Sequence, residues 1–302
     1  MDMKLNNPVL SLELKTRMRS FKTVLGIIIY VGILLFVGSM YYAISTETYV
    51  YTGVEAVNAN QLLGTTLYVI IAILQFVLIM VITPAQTASC INGERERQTL
   101  DLLLCTKMST FDIIVGKLLS SLAYMLLLII SSLPLFSLVF LFGGITPWDV
   151  LSLFLFYIVT AMVVGSIGIF FSTIFKRAVV ATVVSYVTIF AWYVLTFLIA
   201  GYQITMQHIE NLSVQQIEVP FILYFNPLFG FGDIISRHLG AGAQNVFIDI
   251  FSLRTSSSAS GTNIIGTPWI KNIILMCIIT AVILGLSSIR LRPVKVCKKG
   301  NR

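Results

Sequence analysis

Charge is what this sequence has least of. Of its 302 residues, 20 are Lys or Arg, 13 are Asp or Glu and 2 are His, so charged residues make up 11%. Soluble domains carry about 25%, and a globule of this length could not dress its surface in water with less than half that supply. Hydrophobic residues reach 57% and the mean hydropathy is +0.92. A cytosolic enzyme, a disordered chain and a nucleic-acid-binding module are excluded at once. The net charge of +7 does not bring nucleic acid back, because the basic residues sort by membrane side.

The vocabulary of catalysis is missing too. There is no G-x-x-x-x-G-K-[ST]: Gly116-Lys117 is followed by Leu118 and lacks the upstream glycine, so no P-loop binds ATP here. H-E-x-x-H, paired Cys ligands and G-x-S-x-G are absent. The two histidines, His208 and His238, share one loop with Asp233 and read as surface residues rather than metal ligands. Of the four cysteines, Cys90, Cys105 and Cys297 fall on one membrane side and Cys277 in an apolar run, so no disulfide is expected. No catalytic residue, cofactor or metal is expected, and no short internal repeat is visible.

What the chain does have is long apolar runs. A membrane helix needs about 20 apolar residues, and six runs qualify: Val24–Ile44, Leu62–Ile82, Leu118–Phe142, Val150–Phe175, Ala178–Tyr202 and Ile273–Ile289. None of the 33 charged residues lies in them, where an even scatter would place about 15, so avoidance of lipid sets the pattern. The last run is short and starts nearer Ile270, with Lys271 snorkelling to the interface. Uninterrupted runs without strict alternation mean helices, not a barrel. The expected fold is an all-α bundle of six transmembrane helices in one domain, 1–302, with spans at about 24–44, 62–82, 118–142, 150–175, 178–202 and 270–289 and an outer loop at 205–269.

Lys and Arg set the orientation. Seventeen lie in the N-terminal stretch, the second and fourth loops and the tail. Three lie on the other side: Arg237, Arg254 and Lys271. Both termini are therefore expected in the cytoplasm. The first apolar run, 21 residues long, exceeds the about 7–15 of a signal peptide, and Ala43-Ile44-Ser45 is a poor cleavage site. Asn211-Leu212-Ser213 matches a glycosylation acceptor, but nothing else points to a eukaryotic source, so a bacterial cell membrane is expected.

Four segments outside the spans carry information. In Pro8–Lys22, Leu10, Leu14, Met18 and Phe21 share one helical arc flanked by Lys15, Arg19 and Lys22. That pattern describes a helix lying in the interface near anionic headgroups, as an anchor or also as a partner contact. In Pro84–Asp112, Asn92 can cap a helix and Glu94 and Glu96 suit its first turn. Glu94, Arg97, Gln98 and Asp101 share one face of the wheel, and Leu100, Leu103 and Leu104 the other. Such a helix can present charge to a soluble partner, or be a solvated run paired through Glu94–Arg97 and Arg97–Asp101. Ser109-Thr110-Phe111-Asp112 reads as a capping box. Val219–Gly232 is apolar but broken by Pro and Gly, which fits re-entrant or interfacial helices tucked against the bundle. The basic tail reads as an inside anchor. Within the spans, Gly165, Ser166, Gly168, Ser172, Ser131 and Ser132 allow close helix approach, and Trp148 and Trp269 read as belt residues.

These residues carry a resemblance. Ile91-Asn92-Gly93-Glu94-Arg95-Glu96-Arg97-Gln98-Thr99-Leu100-Asp101-Leu102-Leu103-Leu104-Cys105-Thr106, followed by Ile114-Val115-Gly116-Lys117, resembles the loop of type-2 ATP-binding-cassette (ABC) export permeases. Their pattern is roughly E-R-E-x-G-T-L-E-x-L-L-x-T-P-x-S, then an apolar residue, Gly and Lys. Asn7-Pro8-Val9-Leu10, Phe142-Gly143-Gly144-Ile145, Ser172-Thr173-Ile174-Phe175-Lys176-Arg177 and Asn226-Pro227 resemble further segments of that family, in order. Two departures stand out: Gln98 replaces the usual Gly, and Lys107 the usual Pro.

The resemblance implies a permease subunit of an exporter. It would pair with a second permease subunit, as homodimer or heterodimer, among membrane lipids, and be driven by separate cytoplasmic ABC ATPase subunits. It also implies that a cytoplasmic coupling helix over Glu94–Leu104 makes the ATPase contact through Glu94, Arg95, Glu96, Arg97, Gln98 and Asp101. The competing readings are an ion-independent secondary transporter or channel and an intramembrane enzyme. The first needs intramembrane charge or a filter and the second a nucleophile and base at membrane depth, and neither is visible.

Overall fold

The computed structural model describes residues 20–52, 56–96, 98, 110–210, 220–239 and 268–291. Nine α-helices are described: α1 (Phe21–Thr52), α2 (Ala56–Thr87), α3 (Asn92–Glu96), α4 (Thr110–Ser131), α5 (Leu133–Phe142), α6 (Pro147–Ile174), α7 (Ala178–Glu210), α8 (Pro227–Leu239) and α9 (Pro268–Arg290), with a 3-10 turn at Phe221–Phe225. Six spans are long and apolar enough to cross a membrane: α1, α2, α4 with α5, α6, α7 and α9. The six-span all-α bundle expected from the apolar runs is what forms. The interfacial helix read over Pro8–Lys22 lies outside the described residues up to residue 19, and its last two residues open α1.

Most helices outrun the apolar stretches, α7 by reaching Glu210, because polar residues at the lipid boundary do not break a helix. The third span, in contrast, is broken at Ser132. Pro134 has no N–H to donate and cannot continue the ladder, so α4 stops and α5 restarts with Pro134 in its first turn. The Ser132 hydroxyl sits 2.7 Å from Ile129 O and 3.2 Å from Gln75 Oε1 of α2.

The centre of the bundle is α6, which packs against α2, α4, α7 and α9. Its start is fixed locally. Thr146 and Asp149 form a capping box, Thr146 N donating to Asp149 Oδ2 at 2.9 Å and Asp149 N to Thr146 Oγ1 at 3.3 Å, with Pro147 in the first turn. Its packing rests on a stripe of small residues, Ala161, Gly165, Gly168 and Ser172, all buried. A Cβ on Gly168 would lie 2.0 Å from Thr87 Oγ1 and 3.2 Å from Ala88 N, so α2 comes as near as glycine permits.

At the opposite end from α3, the apolar run before the last span folds as the 3-10 turn and α8, tucked against α6 and α9. Phe231 is buried and stacks between Phe76 of α2 and Tyr157 of α6. Asn226 holds the join. Its Oδ1 accepts from Leu228 N at 2.9 Å, and its Nδ2 donates to Thr196 Oγ1 of α7 at 2.6 Å. Its carbonyl accepts from Asn272 Nδ2 of α9 at 2.9 Å. Asp233 accepts from Arg237 Nε at 3.0 Å and Trp269 N at 3.1 Å. Burial raises the Asp233 carboxyl above its usual range, and Arg237 and the Trp269 N–H offset part of that rise. Lys271 is exposed and lies over the Tyr224 ring, 5.7 Å from its centroid, so it has an aromatic partner as well as the interface.

The glycine contact generates a prediction. Gly168→Ala should force α2 away from α6 and lower stability by about 1–3 kcal/mol, the cost of overpacking. Gly285→Ala, where the new Cβ meets nothing within 4 Å, should be neutral or slightly stabilising. Thermal unfolding of both variants in detergent checks this, and equal midpoints would refute the close-approach account.

Candidate functional site

The site grows from the end of α2. Pro84 sits inside that helix, and past Thr87 the chain turns through Ala88–Ile91 into α3. The first N–H groups of a helix have no partner within it. Here Ile91 N and Asn92 N both donate to Ser172 Oγ of α6, at 3.1 and 3.2 Å. The buried Asn92 amide faces the last carbonyls of α6. With its nitrogen turned to them, it donates to Ser172 O at 2.8 Å and Phe175 O at 2.6 Å. Asn92 is thus the first residue of α3 and ties it to α6, a role beyond the local cap expected of it.

Three consecutive charged residues then go to three different spans. Glu94 pairs with Lys117 Nζ on α4, both largely buried. Arg95 Nη1 donates to Phe175 O, at the C-terminal end of α6, at 3.0 Å. Glu96 Oε1 accepts from Ala178 N, the first residue of α7, at 3.3 Å. Each charge complements what it meets: a cation at a helix C-terminus, an anion at a helix N-terminus, and an anion against a buried ammonium.

The continuous helix read over Glu94–Leu104 does not form. α3 ends at Glu96, and Gln98 takes a left-handed φ of 59°. That conformation favours glycine and stands at the position where the resembling family carries Gly. Gln98 is exposed, whereas Arg97, Asp101 and the apolar Leu100, Leu103 and Leu104 lie outside the described residues. Of the six candidate residues, then, Glu94, Arg95 and Glu96 are brought together against the ends of the spans. Ser172, Phe175 and Ala178 escaped the sequence reading as parts of this site, although Ser172-Thr173-Ile174-Phe175-Lys176-Arg177 marked their segment. Lys117 was visible only as the Lys of the Gly-Lys pair.

A second polar cluster lies at the far end. The His238 side chain of α8 is 8% exposed, so it is buried and not the surface residue expected. Nδ1 lies 2.6 Å from Tyr68 Oη of α2 and Nε2 lies 3.0 Å from Ser152 Oγ of α6, with Asp149 Oδ1 3.7 Å away. The nearby carboxylate favours the proton on Nε2, leaving Nδ1 to accept from Tyr68. Asp233 is bonded to Arg237 and Trp269, not to His238. Among the described residues no group of three His, Cys, Asp or Glu is placed to hold a metal.

Burial lowers the His238 pKa below its ordinary value of about 6.5, and Asp149 offsets part of that. A depressed histidine favours the folded state while neutral. Its contribution is therefore full above about pH 6.5 and is lost as pH falls through the lower folded value. Wild type should lose stability from pH 7 to pH 5. His238→Gln should be less stable at pH 7 by about 1 kcal/mol, a hydrogen bond's worth, with a flatter profile. Parallel thermal-unfolding slopes for the two proteins would refute the assignment.

The arrangement at α3 is a set of ties between helix ends. It can pass force: a short helix joins the ends of four spans. Comparison with known proteins agrees with the residues that carry the resemblance. The family model described as ABC-2 family transporter protein matches residues 8–294. No curated protein matches the chain. Membrane domains of this family serve as permease subunits of ABC transporters and associate with ABC ATPases. With its six spans and a match over nearly its whole length, this chain belongs to the ABC-2 family of transporter proteins.

Proposed function

We propose that this permease subunit is one half of an exporter. A second permease subunit, identical or related, completes the translocation path. Separate ATPase subunits in the cytoplasm supply the energy, and this chain hydrolyses no ATP itself. Motion enters through the segment holding Glu94, Arg95, Glu96, Arg97, Gln98 and Asp101. Exposed Gln98, with Arg97 and Asp101 beside it in sequence, supplies the surface that meets the ATPase. Glu94, Arg95 and Glu96 hand the load to the spans. One observation carries this reading: three successive charges engage α4, α6 and the start of α7. A charge run that merely solvates itself gains about 0–1 kcal/mol per exposed pair and has no reason to tie three spans to one turn.

The test uses the full chain with its ATPase subunits in lipid nanodiscs. Lys117→Gln leaves the proposed ATPase surface intact but removes the Glu94 link. The ATPase should still co-purify, while the stimulation of its hydrolysis by the permease falls sharply. Removing one partner of a buried pair also costs stability, about 3–5 kcal/mol where burial is complete, so the charge-swapped Glu94→Lys/Lys117→Glu protein is the control. It should recover part of the stimulation. Full stimulation in Lys117→Gln would sink the transmission role.

The orientation, with α3 and both termini cytoplasmic, is supported by the 17-to-3 distribution of Lys and Arg. In a cysteine-free background, Phe221→Cys, at an exposed position, should react with an impermeant thiol reagent in intact cells. Gln98→Cys should react only after lysis. The opposite pattern would reverse the topology.

A further inference from the structure

Between α6, α7 and α9 runs a cleft of about 320 Å³. Ile167 and Phe171 of α6 form its floor, Thr188 and Trp192 of α7 one wall, and Ile279 and Ile283 of α9 the other. The two walls each pack on α6, and no comparable packing joins them to one another. At about 30 Å³ for a water-sized group the cleft holds about ten such groups, yet a lining this apolar offers water almost no partners. Leu286, on its rim, is 50% exposed, so the cleft opens sideways to whatever surrounds the bundle. For a six-span protein that is hydrocarbon.

The depth of the cleft adds a second feature. Ile283 lies two turns before Arg290, the last residue of α9. Phe171 lies one turn before the end of α6, which is followed by Lys176 and Arg177. All three cations are exposed. Glu96, beside Arg177, already accepts from Ala178 N through its Oε1. An apolar slot running from mid-membrane toward a basic rim matches a chain and a phosphate of one molecule.

We propose that this cleft binds one acyl chain of an anionic phospholipid from the leaflet nearest α3, with its phosphate held by Lys176, Arg177 and Arg290. The bound chain fills the gap between α7 and α9 and couples their spacing to the lipid. A second copy of this protein would seal the cleft instead, and the test separates the two occupants.

Trp192 is a built-in reporter, since Trp148 and Trp269 open α6 and α9 at the far end. The full chain is placed in nanodiscs of phosphatidylcholine, with or without phosphatidylglycerol, and bromine is carried on the acyl chains of one lipid at a time. Trp192 quenching is taken as the difference between wild type and Trp192→Phe. Brominated phosphatidylglycerol should quench several-fold more than brominated phosphatidylcholine at equal mole fraction. Lys176→Gln/Arg177→Gln/Arg290→Gln should abolish that preference while leaving quenching by the neutral lipid. Ile283→Phe, which fills the cleft, should reduce quenching by both. Native mass spectrometry should retain one anionic lipid per wild-type chain and none in the triple variant. Equal quenching by the two lipids would overturn the proposal. So would a Trp192 shielded from both, the result expected if a second copy covers the cleft.

Discussion

The contact between α2 and α6 at Gly168 governs much of this structure. Thr87 occupies the space that any side chain at 168 would need. Because the helices meet there, the end of α2 arrives beside the end of α6, and only then can Ser172 receive the first N–H groups of α3. Lipid supplies little hydrophobic drive between spans, so helix association depends on close packing and hydrogen bonds. Moving α2 outward by the radius of a methyl group would strand those N–H groups in a place poor in water. The stripe of small residues is thus as much part of the proposed coupling site as the charges that follow it.

A second regularity concerns helix ends. In a bundle with few charges, each irregular join between helices must satisfy its own backbone. The chain does this with side chains reaching across elements. Asn92 and Arg95 meet the last carbonyls of α6, Glu96 meets the first N–H of α7, and Asp233 meets Trp269 N near the start of α9. Asn226 serves three helices at once. The charged and amide side chains that make these ties sit at the two ends of the bundle.

The spans were legible because lipid tolerates so few residue types that apolar length alone marks a crossing. The break at Ser132 was legible in principle, from Pro134, but lay hidden inside an unbroken apolar run. The capping box at Thr146 likewise stood in plain sight as Thr-Pro-Trp-Asp. The partners of Glu94, Arg95 and Glu96 were not legible, since all are more than 20 residues away in sequence. A helical wheel assumes that the helix continues, and Gln98 in a left-handed conformation ends that assumption. His238 was misread because a loop histidine in a single sequence carries no sign of the tyrosine and serine that will bury it.

Gln98 also bears on the proposed coupling. A non-glycine residue in the left-handed region costs about 1 kcal/mol, and here it stands two residues past Glu96, the last of three engaged charges. The strained residue closes the segment that is tied to the spans. Gln, with far fewer backbone states open to it than glycine, makes that end of the segment stiffer. The spans themselves hold few ionisable groups on which an ion gradient could act. The buried Lys117 is already matched to Glu94, and Asp149 lies at the capped start of α6. Energy supplied from outside the spans fits the proposed coupling through α3, whose charges are tied to α4, α6 and α7.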